Sequence, residues 1–156
     1  MLDKMILTNE TDIYTFFEII NRTEADSILD VGMFLKRVGS ISRQIKDKEI
    51  PSDKKLAGVD FFPEVACPVW NTIYDVIYRP EEIFVSENEQ KYELATVIQL
   101  EKYMEETETL SMWKWLSTHV SYIVTDWELE AVKKIVKVKS EQKITVDNKL
   151  YQFITL

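Results

Sequence analysis

Four short apolar runs constrain this chain most. They are "SILDV" (27–31), "KKLAGVDFF" (54–62), "YELATVIQL" (92–100) and "VSYIVTD" (120–126). Each is close to continuously apolar rather than alternating, as strands buried on both faces are. Stretches of helical length separate them, and strands that alternate with helices build a parallel sheet. Right-handed crossovers then place helices on both faces, giving a doubly wound α/β sandwich of three layers. Two further strand-like runs, "KITV" and "LYQFITL", end the chain. Asp147-Asn148 between them suits a hairpin turn, so a C-terminal antiparallel hairpin is expected.

The intervening segments carry helical stripes. Ile13, Phe16, Phe17 and Ile20 fall at i, i+3, i+4 and i+7, which predicts a helix over about 10–23, started by Asn9 or Thr11. Phe34, Val38, Ile41 and Ile45 predict a second helix, ended by Pro51. Val69, Ile73, Val76 and Ile77 predict a third over "VWNTIYDVIY", closed by Pro80. "IFV" (83–85) reads as a short strand before an exposed loop. Residues 101–119 read as helical with a break near Glu108 and Thr109, Trp113 toward the core and Trp115 at the surface. "WELEAVKKIV" reads as a short helix; Asp126 ends the strand before it, at the same edge as the other strand-end acids, and also suits its N-cap. No linker, repeat or low-complexity tract divides residues 1–156, so a single domain with its core over about 27–156 is expected.

Charge narrows the partners. The formal net charge is −8, and the basic residues at 133–143 are interleaved with or flanked by Glu128, Glu130 and Glu141. Nucleic acid is not an expected partner, because phosphate contacts supply most of that affinity. Anionic membrane surfaces are disfavoured for the same reason. Cys67 is the only cysteine and His119 the only histidine, so a zinc site is not expected; a buried thiol and a hydrogen-bonded histidine are. "MLDKMILTNETD" has early acids and no apolar core, unlike a signal peptide. No apolar run approaches the roughly 20 residues of a membrane span. A cytoplasmic location is the expectation. No P-loop, nucleophile elbow or metal triad is present, so no catalytic residue is assigned.

The order of elements carries a resemblance. A helix, "ILDVG", a helix, "LAGVDFF", then "YELATVIQLEKYM", "WKWLSTHVSYIVTD" and a terminal hairpin together resemble a class I S-adenosylmethionine-dependent methyltransferase. The likeness runs from about residue 11 to the end and is strongest at 28–32, 57–61 and 93–104. It implies a cofactor site at the carboxyl ends of the strands. Asp30 and Gly32 would lie at the mouth of the first strand. Asp60 would accept hydrogen bonds from the ribose hydroxyls. Phe61, with Phe62, would pack beside adenine, and Gln99, Leu100 and Glu101 would line the far side. The chain departs from that pattern in its glycine-rich turn: the two further small positions after Gly32 hold Phe34 and Lys36. The chain has three glycines, and the other two, Gly39 and Gly58, fall in a helix and a strand.

Two functions follow from the resemblance. One is a methyltransferase with S-adenosylmethionine as cofactor and an unidentified small-molecule or protein acceptor. The other is a methyltransferase-like protein that has lost cofactor binding and serves as a binding or accessory protein, with a protein partner or a second copy. A different nucleotide-binding enzyme is a third reading. The direction of Met33 and Phe34 discriminates, since bulk over the Gly32 turn would close the site.

Overall fold

The structure is a computed structural model and describes residues 18–33, 54–61, 74–85, 87–146 and 148–156. Helical residues 18–23 (α1) lead into β1 (Ser27–Val31). Then come β2 (Lys55–Val59), β3 (Val76–Tyr78), α2 (Pro80–Ile83) and β4 (Tyr92–Val97). A 3-10 turn (Glu101–Tyr103), α3 (Glu106–His119), β5 (Val120–Thr125) and α4 (Leu129–Lys133) follow. β6 (Ser140–Val146) and β7 (Lys149–Thr155) close the chain.

The seven strands form one sheet in the order β3-β2-β1-β4-β5-β7-β6. All pairs from β3 to β5 are parallel, and β7 runs antiparallel to both β5 and β6. The strand order turns back between β1 and β4. In open α/β sheets that switch point is where the carboxyl ends leave a crevice for a ligand.

The pleat sorts the core into two layers. Ile28, Leu56, Leu94, Val124 and Tyr151 face Ile19 and Ile20 of α1. Leu29, Val31, Ala57, Val59, Ala95, Val97 and Ile123 face Met112, Trp113, Trp115 and Leu116 of α3 and Val132 of α4. Buried side chains of this size contribute about 1.5–3 kcal/mol each. The alternation explains why the strands read as continuous apolar runs: both faces are covered.

Several expectations change. Residues 76–78 of "VWNTIYDVIY" are an edge strand rather than a helix, and 69–73 lie outside the described residues. A three-residue run of β-branched and aromatic side chains fits either period; pairing with Ala57, Gly58 and Val59 decides it. Pro80 opens α2 instead of closing a helix, because its fixed φ suits the first helical position. Ile83 ends that helix, so "IFV" is not a strand. The break in 101–119 falls at Met104-Glu105, where the Glu105 N–H donates to the Glu108 carboxylate at 3.1 Å and starts α3. Trp115 is buried, 5% exposed, not at the surface: it packs edge-on against Phe84 and flat against His119. Val146 pairs with Lys149 across two residues, and Asn148 has φ 63°, as the hairpin required.

Candidate cofactor site at the carboxyl edge

At the end of β1 the chain turns sharply. The Met33 N–H donates to the Asp30 carbonyl at 3.2 Å, and Gly32 has φ 87°. A four-residue turn with positive φ at its third position needs glycine there. The Gly32 N–H donates to the Val59 carbonyl at 2.9 Å, tying the turn to the end of β2. Met33 also has positive φ, at 50°, which a side chain rarely adopts.

That strained backbone drives Met33 into the core. Its side chain is 1% exposed and lies among Ile28, Leu56 and Tyr74. It passes over Gly58, whose missing Cβ would stand 2.7 Å from Met33 Cγ and 3.0 Å from the Tyr74 ring. Gly58, out of place in a strand by propensity, makes room for both. Met33 therefore fills the layer beneath the turn, not the space beyond the strand ends. Phe34, like Phe62 and Cys67, lies outside the described residues.

Asp30 stands beside Gly58 and Thr96 in the sheet register. It is fully buried. Tyr74 Oη donates to Asp30 Oδ2 at 2.5 Å, and Thr96 Oγ1 donates to Oδ1 at 3.0 Å. The carboxylate joins β1, β4 and the segment before β3. This corrects the sequence expectation in part: Asp30 and Gly32 are at the mouth of β1, but the Asp30 carboxylate points inward.

Asp60 is the first residue beyond β2, two positions past the register of Asp30, and it is only partly buried. Its N–H donates to the Tyr78 carbonyl at 2.8 Å, which fixes the backbone at the sheet edge. Phe61 follows, partly buried, with its ring 6.3 Å from that of Phe84. It borders a cavity of about 280 Å³ with Pro80, Glu81, Phe84, Thr107, Glu108 and Ser111.

Gln99 and Glu101 line a second cavity, of about 390 Å³, with Lys102 and Asp126. Gln99 has φ 53°, and its N–H donates to Asp126 Oδ2 at 3.0 Å. Asp126 thus braces the end of β4 rather than capping α4, whose N-cap is Glu128. Burial raises the Glu101 carboxyl above its ordinary value, and the nearby Asp126 and Glu128 charges push it the same way.

Of the expected residues, Gln99 and Glu101 line one cavity and Phe61 the other; Gly32 and Asp60 follow the ends of β1 and β2 but line neither, and the Asp30 carboxylate is buried in the sheet. The sequence put Asp126 on the correct edge without choosing between the site and a helix cap, and it missed Lys102 as a lining residue. An acid closing "VSYIVTD" was the available signal, but it also fits a helix cap. Tyr74 and Thr96 carried no signal. His119 sits at the far end of α3, stacked on Trp115 at 4.1 Å, with Nδ1 2.8 Å from the Trp115 carbonyl. Among the described residues, no three His, Cys, Asp or Glu are grouped to hold a metal ion, and no helix is long and apolar enough to cross a membrane.

No model of a known protein family matches the chain, and no curated protein sequence does. Solved structures do. The methyltransferase domain of a bacterial CtHen1 superposes with a TM-score of 0.60 at 13% identity, covering 94% of this chain and 98% of that one. A TehB-like S-adenosylmethionine-dependent methyltransferase from Corynebacterium glutamicum gives 0.62 at 14% identity, covering 92% and 88%. The 16S rRNA methylase RmtB gives 0.62 at 14% identity, over 94% of this chain and 62% of that one. With the strand order and the single reversed strand β7, these likenesses identify the chain's architecture as the class I S-adenosylmethionine-dependent methyltransferase-like fold.

Proposed function

We propose that the protein binds S-adenosylmethionine at the carboxyl edge of the sheet and transfers its methyl group to an acceptor, a small molecule or a protein. In this reading the Asp60 carboxylate accepts hydrogen bonds from the two ribose hydroxyls. Phe61 lies against adenine, Gly32 forms the wall at the end of β1, and Gln99 and Glu101 border the far side. The observation that supports it most is the burial of Met33: the bulky residue after Gly32 is folded under the turn and does not itself fill the space beyond the strand ends. A partly buried acid followed by a partly buried ring suits a nucleoside, with its paired hydroxyls and flat base. The cofactor supplies an activated methyl on a sulfonium, so the protein needs mainly to orient the acceptor. Glu101 is the acid best matched to receive an acceptor's proton, because a raised pKa makes a carboxylate a stronger base. A cytoplasmic location belongs to the same proposal.

A second reading rests on a different observation. Phe34 and Lys36 occupy the further small positions of the turn. It makes the chain a methyltransferase-like accessory protein without cofactor.

Calorimetric titration of S-adenosylmethionine separates the two. Micromolar binding that Asp60→Ala weakens at least tenfold, about 1.4 kcal/mol, is the result expected of the first. No heat and no thermal shift at millimolar ligand overturns it in favour of the second.

A further inference from the structure

Among the described residues β6 is the last strand on one side of the sheet, and its outer edge is shaped for a second copy of the chain. Across the two-residue turn Val146 pairs with Lys149, and the ladder continues through Ile144, Gln142 and Ser140. In such a hairpin the flanking pair is hydrogen-bonded, so the even-numbered residues turn their backbone groups toward β7. Those of Glu141, Lys143 and Thr145 therefore turn outward. An outside contact agrees: Arg22 Nη1 donates to the Thr145 carbonyl at 3.1 Å. At the other end the Lys139 N–H is used, donating to the Thr155 carbonyl at 2.8 Å. What remains open is the backbone of Glu141 and Lys143, which has no hydrogen-bond partner among the described residues.

Edge strands invite pairing, and proteins usually guard them with proline, a bulge or an unmatched charge. Between Ser140 and Val146 there is no proline, and the charges are matched to themselves. An antiparallel twofold centred on Gln142 sets Glu141 of one copy opposite Lys143 of the other, twice. Both open residues then exchange their N–H and carbonyl groups across the axis. Moving the register by one step to either side sets Lys143 against Lys143 or Glu141 against Glu141, which like charges oppose. The Arg22 contact also stops the ladder from running on through Thr145. Glu141 is already held in place by Lys133 at 3.2 Å, whereas Lys143 is exposed and makes no ion pair among the described residues.

We infer that the protein forms a twofold dimer through antiparallel β6–β6 pairing, with Glu141 and Lys143 fixing the register. Sedimentation equilibrium across ~10–500 μM protein reads it by mass action. The wild type should be a concentration-dependent dimer. Lys143→Pro should be a monomer whose melting temperature matches that of the wild type diluted below its dimer dissociation constant, because the N–H it removes faces away from β7. Lys143→Glu should raise the dimer dissociation constant at least about tenfold, and Glu141→Lys combined with Lys143→Glu should restore it. A wild type that stays monomeric over this range overturns the inference. So does a dimer that survives both Lys143→Pro and Lys143→Glu.

Discussion

Asp30 and Asp60 lie at the ends of neighbouring strands and look alike in sequence, each an acid following a valine or leucine. They have opposite fates. Asp30 is still inside β1, opposite Gly58 and Thr96, and its carboxylate is buried and held by Tyr74 and Thr96. Asp60 is one step beyond β2 and partly exposed at the edge. A displacement of two residues along the sheet separates a fully buried carboxylate from a partly exposed residue at the strand ends. The lesson is positional: an acid's role at the mouth of a parallel sheet depends on whether the strand has ended before it.

The strongest way to break this comparison is to remove Asp30. Asp30→Ala strips an acceptor from the buried Tyr74 hydroxyl and from Thr96, and buried polar groups left unpaired are costly. A loss of about 3 kcal/mol is expected in urea unfolding at pH 7. A loss under about 1 kcal/mol would show that the buried cluster contributes little, and the contrast with Asp60 would fail. Gly58→Ala should follow, at about 2 kcal/mol, because the added Cβ presses on Met33 and on the ring that reaches Asp30. Adding Met33→Ala should recover part of that loss, since neighbours that share one space are not additive.

Where apolar side chains alone decide the structure, the sequence was legible. SILDV, LAGV and YELATV are buried on both faces and announced a parallel sheet; the stripe of α3 announced its packing through Trp113 and Leu116. The failures have local physical causes. VIY at 76–78 fits two periods, and only its pairing with β2 chooses between them. Pro80 stops one element and begins another by the same fixed φ, so the sign alone gives no direction. Trp115 breaks the simple stripe because Phe84 and His119 reach over to cover it. At the site, the strand-end acids could be named but not sorted. Sorting them needed Tyr74, more than forty residues from Asp30, which no local pattern connects to it.

Asp60→Ala sharpens the comparison from the other side. Its backbone bond to Tyr78 survives the substitution and the residue is only partly buried, so stability should change by less than about 1 kcal/mol, well short of the loss for Asp30→Ala. Affinity for S-adenosylmethionine should fall about tenfold or more, about 1.4 kcal/mol. Stability and affinity measured on one preparation test the pair of acids together. Asp60→Ala should lose binding without unfolding, and Asp30→Ala should lose stability first. A fall in stability of 2 kcal/mol for Asp60→Ala would class it with Asp30 as an internal anchor.

The smallest effect belongs to Glu101, which shows a third fate for a strand-end acid. Its carboxyl is raised by burial and then by Asp126 and Glu128, with the ordinary value at 4.5. An acid raised in the folded state binds its proton more tightly there than in the unfolded chain. Stability is therefore greatest below the ordinary value and declines as pH climbs through the window up to the raised one. Glu101→Gln removes that decline. The variant should equal or exceed the wild type at pH 7 and lose its advantage below pH 4.5. The margin should stay under about 0.5 kcal/mol, because the side chain is exposed and screened, and added salt should shrink it further. Thermal unfolding from pH 4 to pH 8 measures it. A variant less stable than wild type at pH 7 would mean that Lys102 outweighs the two acids. Glu101 would then be a paired surface charge and would lose its claim as the proton acceptor of the β4–β5 cavity.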